Sequence, residues 1–293
     1  MNILVCGANG QLGSDCVAVL SDSHAITGVD IDELDIADAK AVQTTVQDAR
    51  PDYIINCAAY TNVDGCETDR ETAFAVNADG ARHLAMAAVA TGARMIHVST
   101  DYVFKGDKPL PGAYTESDPV NPVSVYGQSK ADGEQAVMAA DPASTIVRTA
   151  WLYGTDGKNF LKTMLRLALQ NPCKPITIVA DQFGSPTWSY TLARQIDTLI
   201  AKGGSGIYHA TGEGYCSWHD FAAYFLKKMD VLHAITPCTT AEYPTPANRP
   251  ANSILANQRL TEQGINHMQN WQDDVDQFVD RHRQTLLEMC KPG

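Results

Sequence analysis

The stretch NILVCGANGQLG at residues 2–13 joins a short apolar run to a turn that contains three glycines. The run over residues 2–6 predicts a buried β-strand, and it stops at Gly7. Apolar side chains then return at helical spacing, which predicts a helix over residues 11–20. A strand, a tight glycine turn and a helix in this order predict the first half of a βαβ unit.

The same alternation continues through the first half of the chain. Further strands are predicted at residues 25–29, 53–57, 95–99 and 145–148, and further helices at residues 37–49, 73–91 and 124–140. The third strand is apolar, as a parallel strand covered on both faces should be. We therefore predict an α/β fold built on a doubly wound parallel sheet of the Rossmann type.

Beyond Trp151 the alternation loosens, and loops rich in proline and glycine separate the elements. A strand is predicted at residues 176–179 and helices at 190–201, 218–229 and 271–287. We expect a dinucleotide-binding domain at residues 1–150 and a smaller α/β substrate-binding lobe at residues 151–185 and 211–293. Residues 186–210 are expected to return to the first domain, since segments 190–201 and 207–210 suit a helix and a strand of the main sheet.

The composition argues against several classes of protein. Of the 293 residues, 44% are hydrophobic and 19% are charged, which predicts a packed globular chain. The formal net charge of -12 repels phosphate groups, so neither nucleic acid nor a membrane is expected as a partner. Without a basic leader or an apolar run of roughly 18 to 20 residues, a cytoplasmic protein is expected. The eight cysteines are scattered without a C-x-x-C pair, so we expect reduced thiols and no metal site.

Gly7, Gly10 and Gly13 form a G-x-x-G-x-x-G pattern between the first strand and the first helix. Glycines there let the backbone approach a pyrophosphate, whose charge is stabilised at the positive end of the helix. The pattern predicts a dinucleotide cofactor, NADH or NADPH. The residues expected to contact it are Gly7, Asn9, Gly10, Gln11, Leu12, Gly13, Asp30, Asp35, Ile36, Ala58, Ala59 and Tyr60.

Asp30 ends the second predicted strand, where a carboxylate can accept hydrogen bonds from the adenosine ribose hydroxyls. A carboxylate at this place repels a 2′-phosphate, and no arginine follows immediately, so NADH is favoured over NADPH. The alternative is an acidic loop at residues 30–35 that only faces solvent.

Tyr126 and Lys130 are four residues apart and therefore lie on one face of a predicted helix. A free tyrosine has a pKa of about 10, and a neighbouring cation stabilises the phenolate that forms when the phenol protonates a reducing carbonyl. The alternative is that Tyr126 and Lys130 are neighbours on an exposed helix surface without a catalytic role. Thr100 follows the fourth strand at the carboxyl edge of the sheet, where its hydroxyl can bond a substrate oxygen. Thr100, Tyr126 and Lys130 are therefore the predicted catalytic residues.

The glycine pattern, Thr100 and the Tyr126/Lys130 pair together resemble the extended short-chain dehydrogenases/reductases. This resemblance implies that Tyr126 and Lys130 also contact the cofactor. It further implies that Asn77 contacts the cofactor site and helps to position the lysine, often through water.

Longer segments resemble one family within this group, the dTDP-4-dehydrorhamnose reductases. They are residues 57–64, 99–104, 148–154, 181–187 and 248–253, in matching order. The resemblance implies NAD(P)H-dependent reduction of the C4 ketone of dTDP-4-dehydro-6-deoxy-L-mannose to dTDP-L-rhamnose, in nucleotide-sugar and cell-surface polysaccharide biosynthesis. It implies that the dTDP-sugar is contacted by Asp101, Tyr102, Val103, Trp151 and Arg249.

Some positions depart from this family. Gly65 and Cys66 stand where a lysine and an alanine are common, and Ala256 stands where an aspartate is usual. For Trp151 the alternative to a ligand contact is a place in the core, and for Arg249 it is an ion pair on the surface. A homodimer is also possible from the sequence. The alternative functions are another nucleotide-sugar reductase or epimerase, and a non-catalytic NAD(P)-binding regulatory subunit.

Overall fold

A six-stranded sheet, parallel throughout, forms the centre of the molecule; its strands lie in the spatial order 25–29, 2–6, 53–56, 94–100, 145–149 and 206–209. The computed structural model describes residues 1–291. The strands are β1 (Asn2–Cys6), β2 (Ala25–Val29), β3 (Tyr53–Asn56), β4 (Arg94–Thr100), β5 (Thr145–Thr149), β6 (Leu152–Tyr153), β7 (Ile176–Val179), β8 (Phe183–Gly184), β9 (Thr187–Trp188), β10 (Gly206–His209), β11 (Cys216–Ser217) and β12 (Ile235–Cys238). The α-helices are α1 (Gln11–Leu20), α2 (Ala39–Ala49), α3 (Val63–Thr68), α4 (Arg70–Phe74), α5 (Ala81–Thr91), α6 (Val125–Ala140), α7 (Phe160–Gln170), α8 (Ser189–Lys202), α9 (Trp218–Lys228), α10 (Gln258–Glu262) and α11 (Trp271–Cys290).

The strand order reverses between β1 and β3, because the chain leaves β1 toward β2 and then crosses back. Such a reversal opens a crevice at the carboxyl ends of the strands, where ligands bind in open α/β sheets. The predicted doubly wound sheet is confirmed, with β1, α1 and β2 at their predicted bounds. The late segment near residue 207 does return to the sheet, as β10 beside β5.

Helices cover both faces of the sheet because its strands are apolar on both sides. On one face, α1 and α8 pack against β1 and β10 in a cluster that includes Cys16, Leu192 and Tyr208. On the other face, α2, α5 and α6 contribute to a cluster that includes Val42, Leu84 and Val137. These two layers fix the strand ends that the site is built on.

The helix predicted over residues 73–91 is interrupted in the structure. After α4 the chain forms a π-helical segment, Ala75–Gly80, before it continues as α5. The apolar periodicity of the sequence does not distinguish a π turn from an α turn, and π turns are frequent at functional sites. The helix predicted from residue 37 begins at Ala39, because the Asp38 side chain caps it by accepting from Lys40 and Ala41 backbone N–H groups.

The second half of the chain forms a smaller lobe around an aromatic core that includes Tyr153, Phe221 and Phe278. This lobe also contains three two-stranded sheets, which pair β8 with β11, β7 with β12 and β6 with β9. The strands other than β7, together with α7, were not predicted, although α7 buries Leu161 and Leu165 at helical spacing.

We propose a division of the chain that follows these contacts. Residues 1–150 and about 186–210 form the dinucleotide-binding domain, and the rest of the described chain supplies the substrate-binding lobe. One refinement concerns the segment around α10, since Leu260, Ile265 and Met268 pack in the same cluster as β1. We assign that segment to the sheet domain.

Candidate active site

A cleft of about 1010 Å³ opens at the carboxyl ends of the central strands, between the sheet and the second lobe. Eighteen of the predicted site residues line it: Gly7, Asn9, Gly10, Gln11, Leu12, Asp30, Asp35, Ile36, Ala58, Ala59, Tyr60, Thr100, Asp101, Tyr102, Tyr126, Lys130, Trp151 and Arg249. The remaining three, Gly13, Asn77 and Val103, lie outside its walls. The fold therefore brings the predicted cofactor and catalytic residues to one place.

The glycine turn allows the backbone to come close to itself and to a ligand. Gly7 has a φ of 75°, a left-handed conformation that favours glycine. Gly10 is the N-cap of α1 and has no side chain to cap the first-turn N–H groups, and the first turn carries no acidic residue. These donors at the positive end of α1 fit a pyrophosphate.

Gly13 contributes to this turn by packing rather than by facing the cleft. A Cβ at this position would lie 1.9 Å from the Gly7 carbonyl oxygen, so only glycine lets α1 approach β1. The prediction that Gly13 contacts the cofactor is corrected accordingly, since its space is filled by protein backbone.

Asp30 lines the cleft and directly follows β2. Its Oδ2 accepts a hydrogen bond from Asn9 N at 2.8 Å, and its Oδ1 accepts one from Ile31 N at 2.8 Å. Glu33 in turn accepts from the Asp30 backbone N–H at 3.0 Å. The carboxylate is thus fixed beside the glycine turn, with Asp35 and Ile36 on the same wall.

Helix α6 carries Tyr126 in its first turn and Lys130 one turn later. Ser124 caps this helix by accepting from the Gly127 backbone N–H at 3.1 Å. A Cβ on Gly127 would lie 2.2 Å from the Tyr102 carbonyl oxygen, so the glycine lets α6 lie against the turn that follows β4. This approach places Tyr126 beside Thr100 and Tyr102.

The Tyr126 phenol is protonated at neutral pH, the state that a proton donor requires. Burial raises the pKa of Tyr126 above its usual value, and a hydrogen bond with the Thr100 side chain opposes that rise. The ring meets the Tyr102 ring edge to face, with centroids 5.5 Å apart. The phenol therefore has a fixed direction in the cleft.

Lys130 is fully buried, and its Nζ donates a hydrogen bond to the Val98 carbonyl oxygen at 2.7 Å. Burial lowers the pKa of Lys130 to about 8, while the Glu134 carboxylate and Cys57 oppose the fall. Within residues 1–291 no hydrogen bond joins the ammonium to the Tyr126 phenol, so any effect of Lys130 on the phenolate acts through space.

Asn77 lies behind the catalytic helix and not on the cleft. Its Oδ1 accepts from Tyr60 N at 2.8 Å, while its Nδ2 donates to Tyr60 O at 3.1 Å and to Ser129 Oγ at 3.0 Å. These three bonds direct the amide toward the segment after β3, and none of them goes directly to Lys130; the implied role in positioning the lysine, often through water, stays a prediction. Asn77 therefore fixes Tyr60, a cleft residue, against α6.

Thr100 and Asp101 form a hydrogen-bonded pair at the end of β4. Thr100 Oγ1 donates to Asp101 Oδ1 at 2.9 Å and accepts from Tyr102 N at 3.2 Å. Burial raises the pKa of Asp101 to about 6. A substrate oxygen that takes the Thr100 proton must therefore compete with the Asp101 carboxylate.

Val103, predicted to line the sugar pocket, is a core residue. It is the last residue of a 3-10 turn, Asp101–Val103, and its side chain is buried with Phe104, Tyr114 and Leu255. The prediction is corrected because the turn directs Val103 away from the cleft that its two predecessors line.

Arg249 lines the cleft and is also part of an ion pair. Its Nη1 and Nη2 donate to the two carboxylate oxygens of Asp64 at 3.0 and 2.8 Å. The hydrogen bond from Arg249 lowers the pKa of Asp64. Asp64 of α3, in the sheet domain, thus orients the Arg249 guanidinium of the second lobe.

Trp151 lines the cleft in an unusual backbone conformation, with a φ of 47°. Its indole stacks on that of Trp218, with centroids 3.5 Å apart and planes 6° apart. Trp218 was not predicted as a site residue, and neither were the nearby cleft residues Lys158 and Phe160. A capping box at Ser217 marks the start of α9 and was the local signal that could have drawn attention to Trp218.

Comparison with known proteins gives consistent similarities. The family model described as RmlD substrate binding domain matches residues 1–284. The chain is 43% identical to a dTDP-4-dehydrorhamnose reductase of Aggregatibacter actinomycetemcomitans, over 86% of this chain and 90% of that protein. It is 37% identical to a dTDP-4-keto-6-deoxy-D-glucose reductase of Streptomyces niveus, over 92% of this chain and 93% of that protein.

Among solved structures, the chain is similar to a dTDP-4-dehydrorhamnose reductase of Bacillus anthracis in complex with NADP. The TM-score is 0.92 at 40% identity, and the match covers 96% of this chain and 99% of the other. The similarity therefore extends through both the sheet domain and the second lobe.

Proposed function

The chain belongs to the dTDP-4-dehydrorhamnose reductase family, and from that membership we propose that it reduces the C4 ketone of dTDP-4-dehydro-6-deoxy-L-mannose to dTDP-L-rhamnose with NADH or NADPH. The observation that carries the proposal is the convergence of Thr100, Tyr126 and Lys130 at the cleft that the glycine turn opens. The product is a nucleotide sugar of cell-surface polysaccharide biosynthesis.

The chemistry divides between the cofactor and the chain. When bound, the reduced nicotinamide supplies the hydride to C4. Tyr126 gives its proton to the oxygen as negative charge develops there, so the ketone gains one hydride and one proton. Lys130 stabilises the resulting phenolate by its charge, and Thr100 orients the oxygen.

The dTDP-sugar is proposed to lie on the wall formed by Asp101, Tyr102 and Trp151, next to the catalytic group. Arg249 is proposed to meet the nucleotide pyrophosphate, since it stands at the cleft with its charge directed by Asp64. A guanidinium carries five N–H donors, so Arg249 keeps donors for a pyrophosphate oxygen beyond those that Asp64 accepts.

An absorbance assay tests the proposal. NADH or NADPH is mixed with enzymatically generated dTDP-4-dehydro-6-deoxy-L-mannose, and oxidation is recorded. Oxidation that depends on this sugar supports the proposal. Oxidation only with dTDP-4-keto-6-deoxy-D-glucose assigns the activity of the Streptomyces relative instead. Absent turnover with a stoichiometric protein partner supports the regulatory function.

The basic side of the pH profile should report Lys130. Its pKa is lowered to about 8, so the ammonium is present below that pH and is lost as the pH rises through it. We expect kcat/KM for the keto-sugar to fall about tenfold per pH unit well above this value. The variant Lys130→Arg keeps its charge at high pH, so its kcat/KM should not fall above pH 8, even if its rate is low at every pH. An unchanged fall in this variant contradicts the assignment of the basic limb to Lys130.

Cofactor choice should depend on the charge of Asp30. Asp30→Asn keeps an oxygen that accepts from the Asn9 backbone N–H but removes the charge that repels a 2′-phosphate. We expect the ratio of kcat/KM with NADPH to that with NADH to rise about tenfold. The matched control is Asp22→Asn on a different surface. An unchanged ratio in Asp30→Asn shows that the carboxylate does not set the preference.

Two coarser features of the protein complete the proposal. All eight cysteines are free, and no helix within the described residues has the length and apolar character needed to cross a bilayer. The thiols support a cytoplasmic location.

We also propose that the protein is a homodimer. The support for this proposal is the exposed apolar pair Met86 and Val89 on α5. Light scattering after gel filtration measures the mass of the protein in solution and so tests the proposal.

A further inference from the structure

Glu134 is a buried carboxylate that lies one helical turn after Lys130 on α6 and does not line the cleft. Its side chain is 6% exposed. Its Oε1 accepts hydrogen bonds from Ser99 Oγ at 2.5 Å and from Arg148 Nε at 2.9 Å, and its Oε2 accepts one from Arg148 Nη2 at 2.7 Å. Glu134 therefore has a donor on each of two neighbouring strands, β4 and β5.

The two donors stand opposite each other in the central sheet. Ser99 pairs with Arg148 in the register of β4 and β5, so the carboxylate bonds to both strands at the same level. The residues on either side of Ser99 belong to the active site. Val98 accepts the hydrogen bond from Lys130 Nζ at 2.7 Å, and Thr100 carries the hydroxyl predicted to orient the substrate oxygen. The carboxylate thus fixes the strand residue that lies between these two.

The Glu134 carboxylate is also the negative group beside the Lys130 ammonium. Burial lowers the pKa of Lys130 to about 8, and the charge of Glu134 opposes this fall more than Cys57 does. His97 of β4 also lies near the ammonium, and burial together with that charge lowers the pKa of the imidazole well below its usual value, so His97 is neutral. Tyr126, one turn before Lys130, is protonated. Glu134 is therefore the carboxylate that favours the charged form of Lys130.

We propose that Glu134 is a positioning residue for the reduction: its bond to Ser99 fixes how the helix that carries Lys130 lies against the strand that carries Thr100, and its charge stabilises the Lys130 ammonium. The inference rests on the proposed reaction. Because Glu134 does not line the cleft, it acts only through these catalytic groups. A misplacement of such groups by about 1 Å costs a factor of about 10² in rate.

A double variant distinguishes positioning from a role in stability alone. Arg148→Met, Glu134→Leu leaves no buried charge without a partner, so the protein should stay folded. We nevertheless expect its kcat for the keto-sugar to fall at least about tenfold, and the basic limb of its kcat/KM profile to move down by about one pH unit. A folded double variant with the wild-type kcat, or with an unmoved limb, overturns the proposal.

Ser99→Ala separates the hydrogen bond from the charge. It removes the bond to β4 and leaves the ion pair with Arg148, so we expect kcat to fall about tenfold while the basic limb stays at its wild-type pH. The matched control is Asp132→Asn, a carboxylate of α6 that accepts from Gln128 Nε2 at 2.7 Å and does not line the cleft. It should change neither quantity. Wild-type kcat in Ser99→Ala, or an equal loss in Asp132→Asn, overturns the positioning through Ser99.

A titration without turnover distinguishes failure of this inference from failure of the proposed reaction. In protein labelled with ¹³C at lysine Cε, the NMR resonance that is absent from Lys130→Arg reports the ammonium. We expect its midpoint near pH 8 in the wild type and about one unit lower in Arg148→Met, Glu134→Leu. Equal midpoints overturn the charge role of Glu134 even if the keto-sugar is reduced. A shifted midpoint, in a protein whose wild type does not oxidise NAD(P)H with the keto-sugar, contradicts the proposed reaction alone.

Discussion

Tyr126→Phe is expected to reduce kcat for the keto-sugar by about 10²–10⁴-fold, because it removes the proton donor and keeps the ring. The ring continues to pack against Tyr102, so NADPH affinity should change little. Steady-state oxidation of NADPH measures the rate, and fluorescence titration measures cofactor binding.

The control for this variant is Tyr224→Phe, which also removes one phenol hydroxyl. Tyr224 donates to Asp276 Oδ1 at 3.0 Å on the surface of the second lobe, away from the cleft. Its kcat should stay near the wild-type value. Full activity of Tyr126→Phe would remove Tyr126 from the mechanism, whatever the control shows.

Arg148→Met is expected to lower the free energy of unfolding by about 3–5 kcal/mol, because it leaves a buried carboxylate without its partner. Arg148 Nε and Nη2 donate to the two oxygens of Glu134 at 2.9 and 2.7 Å, with side chains 2% and 6% exposed. Urea unfolding measures the change. Glu134 lies one helical turn after Lys130 on α6, so the Arg148–Glu134 pair also fixes the helix that carries Lys130.

Two further variants make the stability prediction specific. Arg82→Met breaks an ion pair with Asp79 whose side chains are 46% and 54% exposed, so it should cost about 1 kcal/mol or less. The double variant Arg148→Met, Glu134→Leu removes both buried charges and should recover most of the loss. Equal losses in Arg82→Met and Arg148→Met would contradict the burial argument.

The parts of this protein that follow from sequence are those determined locally. The run over residues 2–13 specifies a strand, a turn and a helix because apolar spacing and glycine geometry act within a few residues. Tyr126 and Lys130 share a helix face for the same reason, since a separation of four residues is nearly one turn.

Features that depend on contacts between distant segments were not predictable in this way. Val103 follows Asp101 and Tyr102 in sequence, yet a 3-10 turn directs it into the core. The direct bonds of Asn77 to Tyr60 depend on a π-helical segment that the apolar periodicity did not indicate. Single-sequence periodicity contains neither the turn type nor the packing that selects it.

Trp218 illustrates the same limit in the second lobe. Its neighbour in space, Trp151, is far away in the sequence, and the contact depends on the pairing of β8 with β11. The Arg249–Asp64 ion pair likewise joins the last third of the chain to α3. The family resemblance placed Trp151 and Arg249 at the ligand, but the partners that orient them became visible only in the folded chain.

The most direct test of the central claim, net hydride transfer to C4, is reduction of dTDP-4-dehydro-6-deoxy-L-mannose with NADPH or NADH deuterated at the transferred position of the nicotinamide. We predict one cofactor oxidised per sugar reduced, and dTDP-L-rhamnose with deuterium at C4 by NMR. A sugar product that forms without net cofactor oxidation, or that carries no deuterium at C4, would contradict the account.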